Sequence, residues 1–302
     1  MNPAIDKTGY IEEFELNKLN RLEDVYLTIG GKGINVSRTL ESLGYKSKCI
    51  SFLPKENGAF LKQELQQALV EECLIEVEGR VRTNMKIVSQ GALTEINESG
   101  FEVNSLILDT LSKTINESVQ EEDILVISGS VPKGTPKDYY QKLIHKMKEM
   151  KVKTLLDADG ELFKEGLKAL PTIIKPNVYE LCQYFGLDET ISEKEIITYA
   201  SKWIHDGIEL VVVSMGEQGS LYISNELILK AHPLKLDVAS SVGAGDALVA
   251  AIAYAYEHDY KLKKLAQLAA ATSSAAVTTK ATIAPSKDMI DTLMKQVKIT
   301  EN

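Results

Sequence analysis

The chain has 302 residues, of which 44% are hydrophobic and 25% are charged, with a formal net charge of -9. A chain of this length can bury roughly 75% of its unfolded surface, so one large α/β domain or two smaller domains can form with a full core. The negative net charge and the lack of a basic run argue against a nucleic acid partner. The sequence contains no run of about 18 apolar residues that would predict a membrane segment. The three scattered cysteines predict free thiols in a reducing cytoplasm.

Two segments of mixed polarity lie in the first third of the chain. Residues 9–28 mix aromatic, β-branched and charged side chains, which is typical of edge strands outside a core. Residues 79–96 alternate in polarity around a Gly91 turn and predict a half-exposed hairpin. Between them, residues 49–53 predict a short apolar strand, and the spacing of Leu61, Leu65 and Leu69 predicts a helix. Cation-bearing strands outside the core can cover a ligand.

From about residue 124, short apolar strands alternate with amphipathic helices. This alternation predicts a mostly parallel sheet with helices on both faces, in which ligands bind at the carboxyl ends of the strands. Two further helices, over about 262–280 and 287–297, are predicted to end the chain. We expect the polar residues that follow the strands to share one rim: 128–130, Asp157, 175–177 and 214–216.

Two glycine-rich turns each lead into a predicted helix. Gly30-Gly31-Lys32-Gly33 precedes a helix that ends near Gly44, and Gly243-Ala244-Gly245-Asp246 opens an Ala-rich helix. Free N–H groups and the helix dipole make such a terminus a site for an anion. A carboxylate there can take a proton from a hydroxyl that attacks a phosphate. The alternative is an ordinary helix start, with Asp246 as a first-turn acid.

Neither turn matches a standard nucleotide fingerprint. The third small residue of the G-x-G-x-x-G pattern is replaced by Val36 after the first turn and by Leu248 after the second. The G-x-x-x-x-G-K-[ST] pattern does not occur in the sequence. The hypothesis that the chain is a dinucleotide-dependent oxidoreductase therefore lacks the motif that would support it.

Short motifs follow one another along nearly the whole chain: Asn2-Pro3-Ala4-Ile5-Asp6, Gly30-Gly31-Lys32-Gly33-Ile34-Asn35-Val36, Arg82-Thr83-Asn84-Met85-Lys86, Ser128-Gly129-Ser130-Val131-Pro132, Lys175-Pro176-Asn177 with Glu180, Ser214-Met215-Gly216-Glu217-Gln218-Gly219, and Gly243-Ala244-Gly245-Asp246. Each is weak by itself, but their order and spacing resemble the PfkB group of ribokinase-fold carbohydrate kinases. Within that family the sequence is most similar to the bacterial 1-phosphofructokinase branch, with the tagatose-6-phosphate kinases next. The sequence starts directly at the first motif, which leaves open whether a first strand is present.

The resemblance implies a single ribokinase-like α/β domain over residues 1–302, with a mostly parallel central sheet flanked by helices. It also implies a small β lid, formed by about 9–28 and 79–104, through which two subunits pair as a homodimer. The implied reaction is phosphoryl transfer from ATP, with Mg²⁺, to a hydroxyl of a ketohexose monophosphate, with fructose 1-phosphate first and tagatose 6-phosphate second. The alternatives are a kinase of an unphosphorylated sugar or nucleoside and a catalytically silent sugar-phosphate sensor.

The same resemblance implies the catalytic groups. Asp246 is the expected general base, and the adjacent helix terminus should keep it ionised. The backbone N–H groups of Gly243, Ala244 and Gly245 are expected to stabilise the phosphoryl group during transfer.

Binding roles are implied for the remaining candidates, and for most of them the alternative is a capping, turn or surface role. Sugar hydroxyls are expected to bind Asp6, Gly31 and Asn35. Lys32, Arg82 and Arg21 are expected to neutralise the phosphate of the substrate, and Ser130 is a further expected substrate contact. Asn177 and Glu180 are expected to organise Mg²⁺ through water. The expected ATP-site residues are Lys175, Asn177, Ser214, Gly216, Gly219 and Thr279.

Overall fold

Strands and helices alternate along the part of the chain that this computed structural model describes, residues 1–68, 70–240, 242–279 and 282–302. Parts of the sequence predictions fall on Leu69, Ser241 and Lys280, which lie outside the described residues. The strands are β1 (Ala4–Ile11), β2 (Asp24–Gly30), β3 (Lys48–Glu56), β4 (Glu71–Arg80), β5 (Arg82–Ser89), β6 (Ala92–Asn97), β7 (Ile124–Ser128), β8 (Lys153–Asp157), β9 (Ile173–Ile174), β10 (Leu210–Ser214), β11 (Ser220–Ser224), β12 (Ile228–Ala231) and β13 (Ile299–Glu301). The helices are α1 (Lys32–Ser42), α2 (Gly58–Gln67), α3 (Ser105–Ser118), α4 (Tyr139–Glu149), α5 (Gly160–Leu167), α6 (Val178–Phe185), α7 (Glu193–His205), α8 (Ala244–Glu257), α9 (Leu262–Ala276) and α10 (Lys287–Met294).

The largest sheet has seven strands in the order β13-β12-β11-β10-β9-β8-β7. Strands β7 to β10 are parallel, and β11, β12 and β13 follow with antiparallel pairings. Five of the seven strands, β7 to β10 and β12, therefore point in the same direction. The predicted mostly parallel central sheet is confirmed.

Helices cover both faces of this sheet because its strands are apolar on both sides. Successive residues of a strand point to opposite faces. In β8, Leu155 belongs to the buried cluster that contains residues of α1, α8 and α9, whereas Leu156 belongs to the cluster that contains residues of α3, α4 and α7. Both side chains are fully buried. Among the described residues, no helix is long and apolar enough to cross a bilayer.

A second sheet has four strands in the order β2-β1-β5-β6. The predicted hairpin is its β5–β6 pair, joined by Gln90 and Gly91, which both have positive φ, as a tight hairpin turn requires. On one face, the hydroxyl groups of Thr28 and Thr282 lie 2.9 Å apart and connect the sheet to the loop beside Gly243. The four-stranded sheet therefore reaches the start of α8.

Both glycine turns lead into helices, as the sequence predicts. Helix α1 follows Gly31, whose φ is 114°, and ends before Gly44. Helix α8 follows Gly243, which has a φ of 83°. The remaining strands, β3 and β4, form a separate parallel pair.

Candidate active site

The carboxyl ends of the parallel strands place polar residues side by side. Ser128 at the end of β7 pairs in register with Asp157 at the end of β8. Asn177, after β9, forms a β-bridge with Ser214 at the end of β10. The polar strand endings thus share one rim, as expected for a parallel sheet of this kind.

Asp246 and Asn35 join the two glycine turns. Asp246 lies in the first turn of α8, and its side chain is buried, with 8% of its surface exposed. The Asn35 Nδ2 group of α1 donates a hydrogen bond of 2.7 Å to Asp246 Oδ2. Asn35 Oδ1 is buried and has no hydrogen-bond partner within the described ranges. This pair therefore combines a carboxylate with an acceptor that a ligand hydroxyl can use.

Asp157 lies between two lysines at the centre of the rim. Its carboxylate is 3.3 Å from Lys32 Nζ and 3.2 Å from Lys175 Nζ, and only 1% of the residue is exposed. Burial opposes ionisation of Asp157, but the two ammonium groups outweigh it and lower the pKa of this carboxyl. Burial likewise opposes the charge of Lys32, and the carboxylates of Asp157, Asp246 and Glu180 outweigh it and raise its pKa. The sequence predicts Asp157 on the rim but gives it no role.

Burial and the nearby Asp157 carboxylate raise the pKa of Asp246 to about 6, although the Asn35 hydrogen bond and the two lysines act in the opposite direction. Desolvation is therefore the largest effect on the pKa of this carboxyl, although the adjacent helix terminus favours its charged form. With a pKa of about 6, the carboxyl is still roughly 90% ionised at pH 7. Asp246 can accept a proton under these conditions.

A cavity of about 370 Å³ opens beside Lys32 and contains four of the predicted substrate residues. Arg82 enters it from the four-stranded sheet, and its Nη1 group lies 3.5 Å from the Glu98 carbonyl oxygen. Lys32 and Arg82 are partly buried, whereas the two carboxylates of the cavity, Glu95 and Asp159, are exposed to water, so the two cations suit an anionic ligand. The predicted residues in its wall are Gly31, Lys32, Arg82 and Ser130, and those that the sequence analysis missed are Asn2, Glu95, Asn97 and Asp159.

The other predicted substrate residues lie elsewhere. Asp6 is buried within the four-stranded sheet and is absent from the walls of this cavity. Its two carboxylate oxygens accept hydrogen bonds from Asn84, at 2.9 Å, and from Lys86, at 2.8 Å. Gly30 packs directly against this carboxyl, since a Cβ there would approach it to 2.5 Å. Arg21 is exposed between β1 and β2 and makes no hydrogen bond or ion pair with the residues that the structure describes.

The predicted metal residues form a helix cap. Asn177 accepts a hydrogen bond from the Glu180 N–H group, and Glu180 accepts one from the Asn177 N–H group, which makes a capping box at the start of α6. Burial raises the pKa of Glu180, a cost that an approaching cation would offset. No cluster of three acidic, histidine or cysteine ligands occurs in the described residues. Glu180 uses only Oε2 in the cap, and its other carboxylate oxygen is a ligand type that suits a Mg²⁺ ion with retained waters.

Five of the six predicted nucleotide residues, all except Thr279, lie at or after the carboxyl ends of β9 and β10. Lys175 Nζ is 3.8 Å from the position that a Cβ of Gly245 would take, so this lysine lies beside the α8 terminus. Gly219 requires glycine, because a Cβ there would lie 2.1 Å from the Ala231 carbonyl oxygen. Gly216 begins the short turn before it. The Thr279 hydroxyl lies within hydrogen-bond distance of the Ala276 and Ile283 carbonyl oxygens and can donate to one of them at a time.

Comparison with known proteins agrees with this geometry. The family model for pfkB family carbohydrate kinases matches residues 1–289. The 1-phosphofructokinase of Haemophilus influenzae is 33% identical and covers 99% of this chain and 96% of its own length. The tagatose-6-phosphate kinase of Staphylococcus epidermidis is 30% identical over 100% of this chain and 98% of its own.

A solved structure extends the comparison to the fold. Phosphofructokinase-2 of Escherichia coli, in complex with substrates and products, superposes with a TM-score of 0.93. It shares 24% identity over 98% of this chain and 97% of its own. The ribokinase-like fold is thereby confirmed. With the family model matching almost the whole sequence, the chain belongs to the pfkB family of carbohydrate kinases, which use ATP with Mg²⁺.

Proposed function

We propose that this kinase transfers the γ-phosphoryl group of ATP to a hydroxyl of fructose 1-phosphate and releases fructose 1,6-bisphosphate and ADP. The observation that carries the proposal is that Lys32, which lines the cavity with Arg82, also interacts electrostatically with the buried Asp246, the partner of Asn35. A substrate with its own phosphate explains two cations in a sugar-sized cavity, which an unphosphorylated sugar would not need. The Haemophilus influenzae relative supports fructose 1-phosphate, and the Staphylococcus epidermidis relative supports tagatose 6-phosphate as the second candidate.

In the proposed reaction, Asp246 takes the proton from the substrate hydroxyl. The hydroxyl oxygen forms a bond to the γ-phosphorus, the bond between this phosphorus and the β,γ-bridging oxygen breaks, and the electron pair leaves with ADP. Asn35 fixes the carboxylate through its hydrogen bond and offers Oδ1 to a sugar hydroxyl. The first N–H groups of α8, at Gly243, Ala244 and Gly245, have no partners inside the helix and can stabilise the negative charge of the transferred group.

The lysines beside Asp157 would bind the phosphates of the nucleotide and substrate. Lys32 lies between the cavity and Asp246, whereas Lys175 lies next to Gly245. Asn177 and Glu180 would hold Mg²⁺ through water. When bound with ATP, the ion supplies positive charge at the phosphate oxygens. We place the remaining ATP contacts at Ser214, Gly216, Gly219 and Thr279, and keep Asp6, Arg21 and Ser130 as proposed substrate contacts.

The four-stranded sheet is proposed to act as a lid and as the contact between two subunits of a homodimer. Its outer face carries exposed apolar side chains at opposite edges, with Leu27 of β2 56% exposed and Ile96 of β6 57% exposed. Leu27, Lys7, Met85 and Ile96 lie in one row across the sheet by strand register. A second copy of this face would bury the apolar side chains of the row, which are otherwise exposed to water.

The free thiols support a reducing cytoplasm as the place where the kinase acts.

A substrate panel tests the proposed function. ADP release should be fastest with fructose 1-phosphate, slower with tagatose 6-phosphate, and slowest with the free sugars and nucleosides. Arg82→Ala should raise KM for the sugar phosphate about tenfold or more with little change in KM for ATP, because it removes one charged hydrogen-bonding group. A faster reaction with an unphosphorylated acceptor would contradict the proposal, and no ADP with any acceptor would favour a sensor.

Asp246→Asn should remove activity and increase stability. The folded pKa of Asp246 is raised above the unfolded value, so the ionised carboxylate destabilises the fold once the pH rises through about 6. The isosteric amide keeps the volume and an acceptor for Asn35. It should reduce kcat by about 10²–10⁴ and raise the free energy of unfolding at pH 7 by about 1–3 kcal/mol. Urea titrations at pH 7 and pH 4 check this, because the gain should disappear at pH 4. A variant that is less stable at both pH values would contradict it.

The pH dependence of kcat should follow the same carboxyl group. Because the base must be ionised, kcat should fall below pH 6 by about tenfold per pH unit. Asn35→Ala removes a hydrogen bond that lowers the pKa of Asp246, so the midpoint of its profile should shift to higher pH. Titration of the substrate phosphate would affect both enzymes equally, so identical midpoints would argue against Asp246 as the titrating base.

Charge on the outer face should separate the proposed dimer. The double variant Leu27→Lys with Ile96→Lys introduces like charges that would face a second copy, and sedimentation should show a monomer where the parent chain is a dimer. The matched control is Leu106→Lys, a similarly exposed leucine on α3 outside this sheet. A parent chain that sediments as a monomer, or a double variant that remains dimeric, would exclude this face as the contact.

A further inference from the structure

Arg82 is the cation that the four-stranded sheet contributes to the substrate cavity, and few side chains hold its guanidinium group. Its Nε group is buried and has no hydrogen-bond partner in the described ranges. Burial lowers the pKa of Arg82, and Asp6, the carboxylate that acts against this effect, is already bound by Asn84 and Lys86. The direction of the Arg82 side chain therefore depends mainly on the backbone from which it extends.

The backbone before Arg82 passes from one sheet to another. Strand β4 ends at Arg80, β5 begins at Arg82, and Val81 between them belongs to neither strand. Val81 is fully buried, so its side chain anchors this junction in the core. The stem of Arg82 packs against Gly100, where a Cβ would lie 3.5 Å from Arg82 Cδ. A small change in the backbone at Val81 would therefore move the guanidinium group relative to the cavity.

Asn57 binds both main-chain groups of Val81. Its Oδ1 atom accepts a hydrogen bond of 2.8 Å from the Val81 N–H group, and its Nδ2 group donates one of 3.3 Å to the Val81 carbonyl oxygen. Asn57 directly follows β3, whose last residue, Glu56, pairs with Arg80 of β4. The carboxamide of Asn57 thus extends the pairing of these two strands by one residue and holds the backbone immediately before Arg82.

The conformation of Asn57 departs from the one that its position before α2 favours. Asparagine before a helix usually accepts a hydrogen bond from an N–H group of the first turn, but the side chain of Asn57 makes no such bond. Its φ of 49° lies in the left-handed region, which few residues other than glycine adopt. The side chain of Asn57 therefore serves the junction at Val81 and not the helix, and such a departure indicates a functional role.

We propose that Asn57 is a positioning residue of the kinase, whose two hydrogen bonds to Val81 fix the start of β5 so that the Arg82 guanidinium group lies in the substrate cavity. Asn57 is exposed and absent from the walls of that cavity, so it acts through Arg82 and not on the substrate. The inference rests on the proposed function, in which Arg82 binds the phosphate of the sugar phosphate.

A double-mutant cycle tests this proposal. Asn57→Gly removes both hydrogen bonds, permits the φ of 49° and opens no cavity in the core, because Asn57 is exposed. It should raise KM for fructose 1-phosphate about fivefold, the effect of about one hydrogen bond, and leave KM for ATP nearly unchanged. In an Arg82→Ala background the same substitution should have no further effect on KM, because the group that Asn57 positions is absent.

The matched control removes a similar hydrogen bond far from the cavity. Thr172→Val deletes the hydroxyl that accepts a hydrogen bond of 3.0 Å from the Thr154 N–H group, at the amino ends of β8 and β9. This control should change neither KM. A rise in KM for the sugar phosphate in the control, an equal effect of Asn57→Gly with and without Arg82, or no effect of Asn57→Gly would each overturn the proposal.

Binding of inorganic phosphate separates this inference from the choice of substrate. In the parent chain, phosphate should shift the NMR signal of the Arg82 Nε–H group, which is identified by its loss in Arg82→Ala. The apparent Kd should rise about fivefold in Asn57→Gly and stay the same in Thr172→Val. The absence of a shift in the parent chain, or an equal Kd in Asn57→Gly, would overturn the inference. Because the probe contains no sugar, a different preferred acceptor in the substrate panel would contradict the proposed function and leave this result intact.

Discussion

The ion pairs of Asp157 with Lys32 and Lys175 hold the rim of the sheet together. Asp157 ends β8, Lys32 begins α1 and Lys175 follows β9, so one buried carboxylate ties together three elements that are far apart in sequence. Loss of Asp157 would leave the buried ammonium group of Lys175 without its ion-pair partner, at a cost of about 3–5 kcal/mol. The position of the first glycine turn beside the second therefore depends on this carboxylate.

The same cluster explains why Asp246 is a suitable base. Two ammonium groups lie near three carboxylates, those of Asp157, Asp246 and Glu180, so a fully ionised cluster carries more negative than positive charge. Asp246 is the carboxylate whose pKa rises to about 6, because it is buried and lies near Asp157. A base with a pKa close to the working pH combines ionisation with affinity for a proton. Burial of the ionised Asp246 carboxylate lowers the free energy of unfolding, but it gives the reaction a carboxylate with higher affinity for a proton.

Local patterns predict most of the fold, whereas contacts between distant residues decide the site. The alternating strands and helices, the hairpin at Gln90-Gly91 and the helices after both glycine turns follow from short-range periodicity and from the backbone freedom of glycine. The pairing of Lys32 with Asp157, 125 positions apart, leaves no local signal, nor does the pKa of Asp246. The resemblance to the family supplied candidate residues, and only the coordinates place Asp6 with Lys86 and Lys32 with Asp157.

Strands β3 and β7 have an amino-acid composition that differs from the one expected at their positions in the sheets. Residues 124–128 and 49–53 are nearly continuous apolar runs, and such runs are typical of strands that have neighbours on both sides and helices on both faces. Among the residues that the structure describes, each of these two strands pairs with a neighbour on one side only, although helices pack on both faces of the seven-stranded sheet. Edge strands normally carry charged residues, proline or bulges that discourage further pairing. The edge of β7 therefore has the composition of a central strand, and its residues line an apolar cavity of about 290 Å³ together with residues 48–50 of β3.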